Sequence, residues 1–338
     1  MASVFAHTVR PAMLAASRAD RLRRTVERSP VIRKVVRRFV PGDTLDGVLD
    51  IVATLRASGR YVSIDYLGEN VTDADEGEAM RDFASQGYKI VMGHSGRFVS
   101  AMEQVAPKFP NTQFIAVSGN EGQAPNVMSI DWNNAQFGCQ LGVLAAHMSK
   151  THKVAGVYGL EGVPNITAQA GGFRICATKA GAAVTILYVK DMEDAAAAKE
   201  AGLSLIAQGA DVLTGKLNAA EAGLVEAANE KHVYVTGRGF DQTKIAPDLV
   251  LTNILEDWPA MFGNTADQVK DGKLFGTFVQ YGYDTPPVTG GTLMYEEGKP
   301  FNPIVPAAVV TELQDMAKKF ASGEMKVAPT REDARGGS

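Results

Sequence analysis

From about residue 75 to residue 271 the chain alternates between two hydrophobic rhythms. Short apolar runs, mostly β-branched, predict strands over 89–92, 113–117, 127–130, 153–158, 184–189, 212–213, 233–235 and 250–251. Between them, apolar positions three and four apart predict helices over 76–85, 98–106, 135–148, 169–180, 195–208, 219–230 and 258–271. Sustained strand–helix alternation predicts an α/β fold of parallel sheets with helices on both faces. Upstream, helical patterns cover 10–28, 31–39 and 44–58, and a strand pattern covers 61–67. Pro41-Gly42-Asp43 interrupts the helical pattern there, leaving Asp43 or Thr44 as the next N-cap.

The pattern also repeats. Gln86 to His94 lines up with Gln208 to Lys216 at an offset of 122, and each copy continues into a helix and a strand ending in a hydroxyl residue and glycine, Ser118-Gly119 and Thr236-Gly237. Three elements recurring in one order predict two similar α/β lobes, against the alternative of one doubly wound domain with chance echoes. Ligands of parallel sheets bind outside the carboxyl ends of the strands, so two facing lobes predict one cleft that closes by a hinge. The loops leaving those strands carry Phe98, Asp131, Trp132, Glu161 to Asn165, Met192, Lys216 and Arg238 to Gln242. Amides, carboxylates, single cations and aromatics in that mixture suit a polar ring compound and no obvious reaction.

Hydrophobic residues make up 45% and charged residues 21% of 338, so the chain has material for a sizeable core. No apolar run approaches the roughly 18 residues of a membrane-spanning helix. The net charge of −4 conceals a basic head: residues 1–40 carry ten Lys/Arg against Asp20 and Glu27, hence +8, and the remaining 298 residues carry −12. Such a head is a solvated helix face, a nucleic-acid or lipid contact, or a remnant of another packing arrangement. It has no continuous apolar core, so no export signal is read in it, and the chain as written is expected to stay in the cytoplasm.

Enzyme motifs fare poorly. Gly159-Leu160-Glu161-Gly162 and Gly237-Arg238-Gly239 lack the dinucleotide-binding spacing, and neither a phosphate-binding loop nor a GxSxG elbow is present. Asp191, Glu193 and Asp194 read as acids opening a helix rather than as metal ligands. Cys139 and Cys176 form no CxxC pair and read as small buried residues. Trp258, before Pro259 at a helix start, reads as core. No metal or cofactor is expected.

Residues from about 75 to 327 resemble the basic membrane protein family, the nucleoside-type substrate-binding proteins of ABC importers. The resemblance rests on MRDFASQGYKIVMGHSGRF (80–98), APKFPNTQFIAVSG (106–119), SIDWNNAQFGCQLGVLAAHMSKTHKVAGV (129–157), AKEAGLSLIAQGADVLTGK (198–216) and FDQTKIAPDLVLTNI (240–254), in family order. It implies a type I periplasmic-binding-protein fold, capture of a nucleoside or base without chemistry, an ABC permease as partner and an extracytoplasmic location. It also implies roles: Asp131 for a purine edge, Phe98 for stacking on a base, Met192 where the family has a second stacking phenylalanine, and Asp241 beside Gly239, where the family has a ribose-binding aspartate. Tyr281 and Tyr283 occupy the region of a family lysine. Phe98, Asp131, Trp132, Met192, Lys216, Arg238, Asp241 and Tyr281 are thus the expected ligand-binding residues, and no nucleic-acid partner is expected.

Residues of about 15–75, including SIDYLGE, resemble the amino-terminal segment of monofunctional proline dehydrogenases, which makes the chain read as a hybrid. A truncated, inactive flavoenzyme is therefore the alternative to a binding protein, since one barrel strand cannot make the site. A ligand-sensing regulator on the same lobes is a third reading. The expected divisions are a basic helical arm at 1–42, a first lobe with a replaced front end at 43–133, a second lobe with hinge crossings at 134–254, a return to the first lobe at 255–327 and a disordered tail at 328–338.

Overall fold

Val127-Met128-Ser129-Ile130-Asp131-Trp132 is a strand with every residue buried, the mark of a sheet covered on both faces. The computed structural model describes residues 73–338, apart from 97, 272, 274 and 286–290, all within one compact unit, Gly68–Ser338. The upstream helices, the 61–67 strand and the basic arm lie outside the described residues.

Two sheets organise the unit. The first has β1 (Ile90–His94), β2 (Gln113–Val117), β3 (Val127–Trp132) and β9 (Phe278–Tyr281), in that spatial order and all parallel. The second has the order β10-β8-β7-β6-β4-β5, from β4 (Lys153–Tyr158), β5 (Ala183–Tyr188), β6 (Val212–Lys216), β7 (Tyr234–Arg238), β8 (Val250–Glu256) and β10 (Gly291–Met294). Only β10 runs antiparallel. The 122-residue repeat is visible in the elements: helix α1 (Asp73–Ser85) and β1 recur as α5 (Ala195–Ala207) and β6, and the neighbour order β1-β2-β3 recurs as β6-β7-β8. This is the expected α/β architecture of parallel sheets.

Helices cover both faces of each sheet. In the first, α1 and α2 (Phe98–Val105) pack Met80, Val99 and Met102 on Val91 and Phe114, while α7 (Trp258–Lys270) packs Met261 on the opposite face with Ile115 and Ile130. In the second, α5 and α6 (Glu221–Lys231) cover Val157, Leu213 and Val235, and α3 (Asn134–Met148), α4 (Pro164–Lys179) and α8 (Ala307–Ala321) cover the other side. The chain passes between sheets after β3, after β8 and after β9, always from a strand's carboxyl end. Helix α7 and β9 thus lie on the first sheet, whereas β10 and α8, expected within a return to the first lobe at 255–327, lie on the second.

Helix α3 and helix α4 approach so closely that a Cβ on Gly138 would collide with the Gln169 carbonyl oxygen. Across this seam Cys139 and Cys176 form a disulfide. They are buried, as expected, but they are a cross-link, which sequence spacing did not reveal because the pairing exists only once the two helices pack. The 328–338 segment, expected to be disordered, is instead ordered: Ala334 is buried in the core and Gly337 bridges to Ile186 of β5. Replacing both cysteines with alanine, closing off a cross-link over 37 residues of sequence, is expected to lower unfolding free energy by about 2–4 kcal/mol. Chemical denaturation of the double variant checks this, and an unchanged midpoint would contradict it.

Candidate functional site

The carboxyl ends of β3, β6, β7 and β8 bring five ionisable side chains into the interior. Asp131 is the last but one residue of β3, Lys216 ends β6, Arg238 ends β7, Glu256 ends β8, and Glu221 opens α6 above Gly215. Arg238 and Glu256 form an ion pair with only 9% and 10% of their side-chain surface exposed. Lys216 Nζ donates to Asn134 Oδ1 at 2.8 Å, and Asn134 Nδ2 donates to the Trp132 carbonyl at 3.0 Å. That pair of bonds settles the orientation of the Asn134 amide. Asp131 Oδ1 accepts from the Trp132 N–H at 2.7 Å, and Asn165, one residue into α4, faces the same carboxylate from the second sheet and favours its charged form.

Burial governs the charges. It raises the Asp131 carboxyl above its ordinary value despite the attraction of Lys216 and the Trp132 N–H. It lowers Lys216 to about 8, with Arg238 pushing the same way. It raises Glu221 to about 8 against the pull of Arg238. At neutral pH Glu221 therefore largely keeps its proton, and two cations face two carboxylates, a balanced set in a poorly solvated place.

Beside this cluster lies a cavity of about 40 Å³ lined by Asn120, Asp131, Asn134, Asn165, Phe278 and Gln280, among others. Its walls come from both sheets: Asn120, Asp131, Phe278 and Gln280 from the first, Asn134 and Asn165 from the helices of the second. A carboxylate, four side-chain amides and one aromatic can bind N–H and C=O groups on a flat ring. A larger cavity of about 140 Å³, lined by Lys150, Asp211, His232 and Tyr234, sits at the amino ends of β6 and β7. There the Asp211 carboxylate is already bonded to Ser149 and to the Lys150 and Thr151 N–H groups.

The expected site residues separate into groups. Asp131, Lys216 and Arg238 come together in the buried cluster. Trp132 is buried edge-on against Trp258, ring centroids 3.6 Å apart, in the core between the first sheet and α7. Tyr281 joins that core and shares a hydrogen bond of 2.8 Å with Thr265. Phe98 is half-buried over Gly93 and packs against the α1–α2 cluster. Met192 packs on Gly159, and its carbonyl accepts from Asn218 and Ala220, tying two rim loops together. Asp241 is exposed and accepts from the Thr243 N–H and hydroxyl, shaping its own turn. The acids at 191–194 act as turn and cap residues, with Asp194 accepting from Ala196 and Ala197 at the start of α5. Sequence reasoning missed Asn134, Asn165, Glu221 and Glu256. The two asparagines fall in the strand-exit loops already singled out, whereas nothing in the sequence marked the glutamates.

The family model for Bmp, the PnrA-like substrate-binding proteins of ABC transporters, matches residues 43–327. The chain belongs to that family. Among relatives, a purine-binding protein of Brucella abortus is 28% identical over 221 residues, covering 64% of this chain and 62% of that protein. The transcriptional activator protein med of Bacillus subtilis is 23% identical over 285 residues, covering 84% and 86% of the two chains. The structure of an ABC transporter solute-binding protein from Conexibacter woesei superposes with a TM-score of 0.61 at 22% identity, covering 83% of this chain and 92% of that one. The Bmp match begins at residue 43 rather than near 75, so it takes in SIDYLGE, which the sequence alone led us to expect in a separate, dehydrogenase-like segment. Among the described residues no helix is long and apolar enough to cross a membrane.

The Glu221 proton makes stability depend on pH. Its folded value of about 8 lies above the ordinary value of 4.5, so between those pH values the folded chain binds a proton the unfolded chain has released, and stability falls as pH rises. Glu221→Gln removes that titration. The variant's melting temperature is expected to gain on that of the parent progressively from pH 5 to pH 8, and a difference constant over this range would contradict the assignment.

Proposed function

We propose that this Bmp protein captures a nucleoside, a purine base or a similar small aromatic between its two sheets and delivers it to an ABC permease. The observation that carries the reading is Asp131, 2% exposed, with its carboxylate at the wall of a cavity otherwise furnished with amides. A carboxylate there accepts from ring N–H or amino groups, and Asn120, Asn165 and Gln280 offer both donors and acceptors for the rest of a heterocycle. The purine-binding relative in Brucella abortus supports the same ligand class.

A cavity of about 40 Å³ holds water-sized guests, whereas small-molecule pockets run to about 300 Å³ and more. Ligand entry therefore requires the two sheets to part, the ligand coming between Asp131 and Asn165 on the cavity wall. The disulfide between Cys139 and Cys176 supports work outside the cytoplasm, where such bonds persist.

A thermal-shift and calorimetric series with adenosine, guanosine, inosine, hypoxanthine, guanine and uridine, with proline as the contrasting ligand, tests the reading. A purine or its nucleoside is expected to raise the melting temperature by mass action, and no shift with any of them would refute the proposal. Asp131→Asn keeps the shape and loses the charge. Hydrogen bonds to charged groups contribute about 1.5–3 kcal/mol, so the variant is expected to bind the same ligand roughly ten- to a hundredfold more weakly. Because burial raises the Asp131 carboxyl, affinity is also expected to fall with acidification, starting at a pH above the usual carboxylate range. Calorimetry of parent and variant from pH 4.5 to 7.5 checks this, the variant showing a flatter profile.

A further inference from the structure

The Bmp match stops at residue 327, yet the residues after it are built into the second sheet. Strand β5 is that sheet's edge, and its outer side presents backbone groups that other strands could pair with. Gly337 occupies it: the Gly337 N–H donates to the Ile186 carbonyl at 2.8 Å, and the Ile186 N–H donates back at 3.0 Å. One turn earlier Ala334, 3% exposed, plugs into the core, and its carbonyl accepts from the Tyr188 hydroxyl. The segment also grips helix α4. Pro329 lies against Gly171, where a Cβ would meet its ring, and Arg174 Nη2 donates to the Gly337 carbonyl at 2.7 Å. A further bond joins the Gly336 N–H to Glu161 Oε1 at 3.2 Å, in the loop between β4 and α4. Thr330 and Asp333 close the turn internally, with the Asp333 carboxylate accepting from the Thr330 N–H and hydroxyl.

These anchors converge on one part of the cleft. Glu161 lies just before the first turn of α4, and that turn carries Asn165, which lines the cavity with Asp131. Gly171 and Arg174 sit two turns further along the same helix. We propose that residues 329–337 act as a strap with two roles: they seal the β5 edge against pairing with other strands, and they position the α4 wall so that Asn165 meets the cleft.

Hydrogen exchange of the ligand-free protein tests the strap independently of which ligand the cleft takes. In a variant ending at Ala328, peptides covering 158–174 and 183–189 are expected to exchange about tenfold faster or more, since local opening there no longer has to break the strap. Peptides covering 90–132 in the first sheet should be unchanged. The variant is also expected to self-associate with rising concentration through the bared edge, as read by light scattering. Equal exchange in both segments, with a monomer at all concentrations, would overturn the proposal. Should the shortened chain fail to fold, the intact protein decides: protection of the Gly337 and Ile186 amides supports the strap, and exchange of 329–338 at free-peptide rates sinks it. A milder variant, Arg174→Ala, should raise exchange in 329–338 while leaving 90–132 untouched.

Discussion

The burial of Asp131, Lys216, Glu221, Arg238 and Glu256 at the carboxyl ends of four strands is the constraint on which the rest of the structure depends. Removing charges from water is costly unless each finds a partner and its remaining hydrogen bonds are met. Here the compensation comes from very different parts of the chain. Arg238 and Glu256 are adjacent because β7 and β8 pair. Lys216 needs Asn134, which only the crossing after β3 delivers. Asp131 is offset by Lys216 of the second sheet and by the Trp132 N–H. The neutral form of Glu221 spares the cluster a third negative charge. A shift of either sheet would leave an uncompensated charge buried, so the cluster ties the relative placement of the sheets to the chemistry of the cleft.

The same logic explains which parts of the molecule were legible in the sequence. Strands at 113–117 and 153–158 and the helix at 195–207 follow from local apolar rhythm, because burial on both faces of a parallel sheet writes itself into consecutive residues. Helix α4 begins five residues before its apolar pattern does, since Pro164 suits a first helical turn and Ile166 is the one apolar residue in that turn, too few to show a period. The short strands β9 and β10 and helix α8 escaped notice: a four-residue strand such as 278–281 carries too little periodicity to stand out. The 122-residue echo was the most informative feature, because two copies of one supersecondary unit imply facing sheets and hence a cleft.

The site was legible only where chemistry coincides with a strand end. Asp131, Lys216 and Arg238 each lie at or next to the carboxyl end of a strand, so the rule that parallel sheets bind at their carboxyl ends found them. Trp132 and Tyr281 also sit at strand ends, yet they turn into the core with α7. Side-chain direction alternates along a strand, and two neighbours such as Asp131 and Trp132 must face opposite ways: one lines the cleft, the other supports it. Resemblance to a family cannot separate such neighbours. Glu221 and Glu256 were invisible for another reason, being ordinary acidic residues until the packing of α6 and β8 strips them of water.

Helix α4 is where these strands of argument meet. Its first turn supplies Asn165 to the cleft, its middle is joined to α3 by the disulfide and by glycine-mediated contact, and its outer face and leading loop are held by the segment after residue 327. One element of the second sheet is thus fixed from inside, from its neighbour and from the surface. The first sheet meets the same carboxylate from β3, a strand buried along its whole length. For the cleft to admit a ligand much larger than its present cavity, room has to be made between these two walls. Since each wall is packed within its own sheet, a change of angle between the sheets makes room at less cost than rearranging either core.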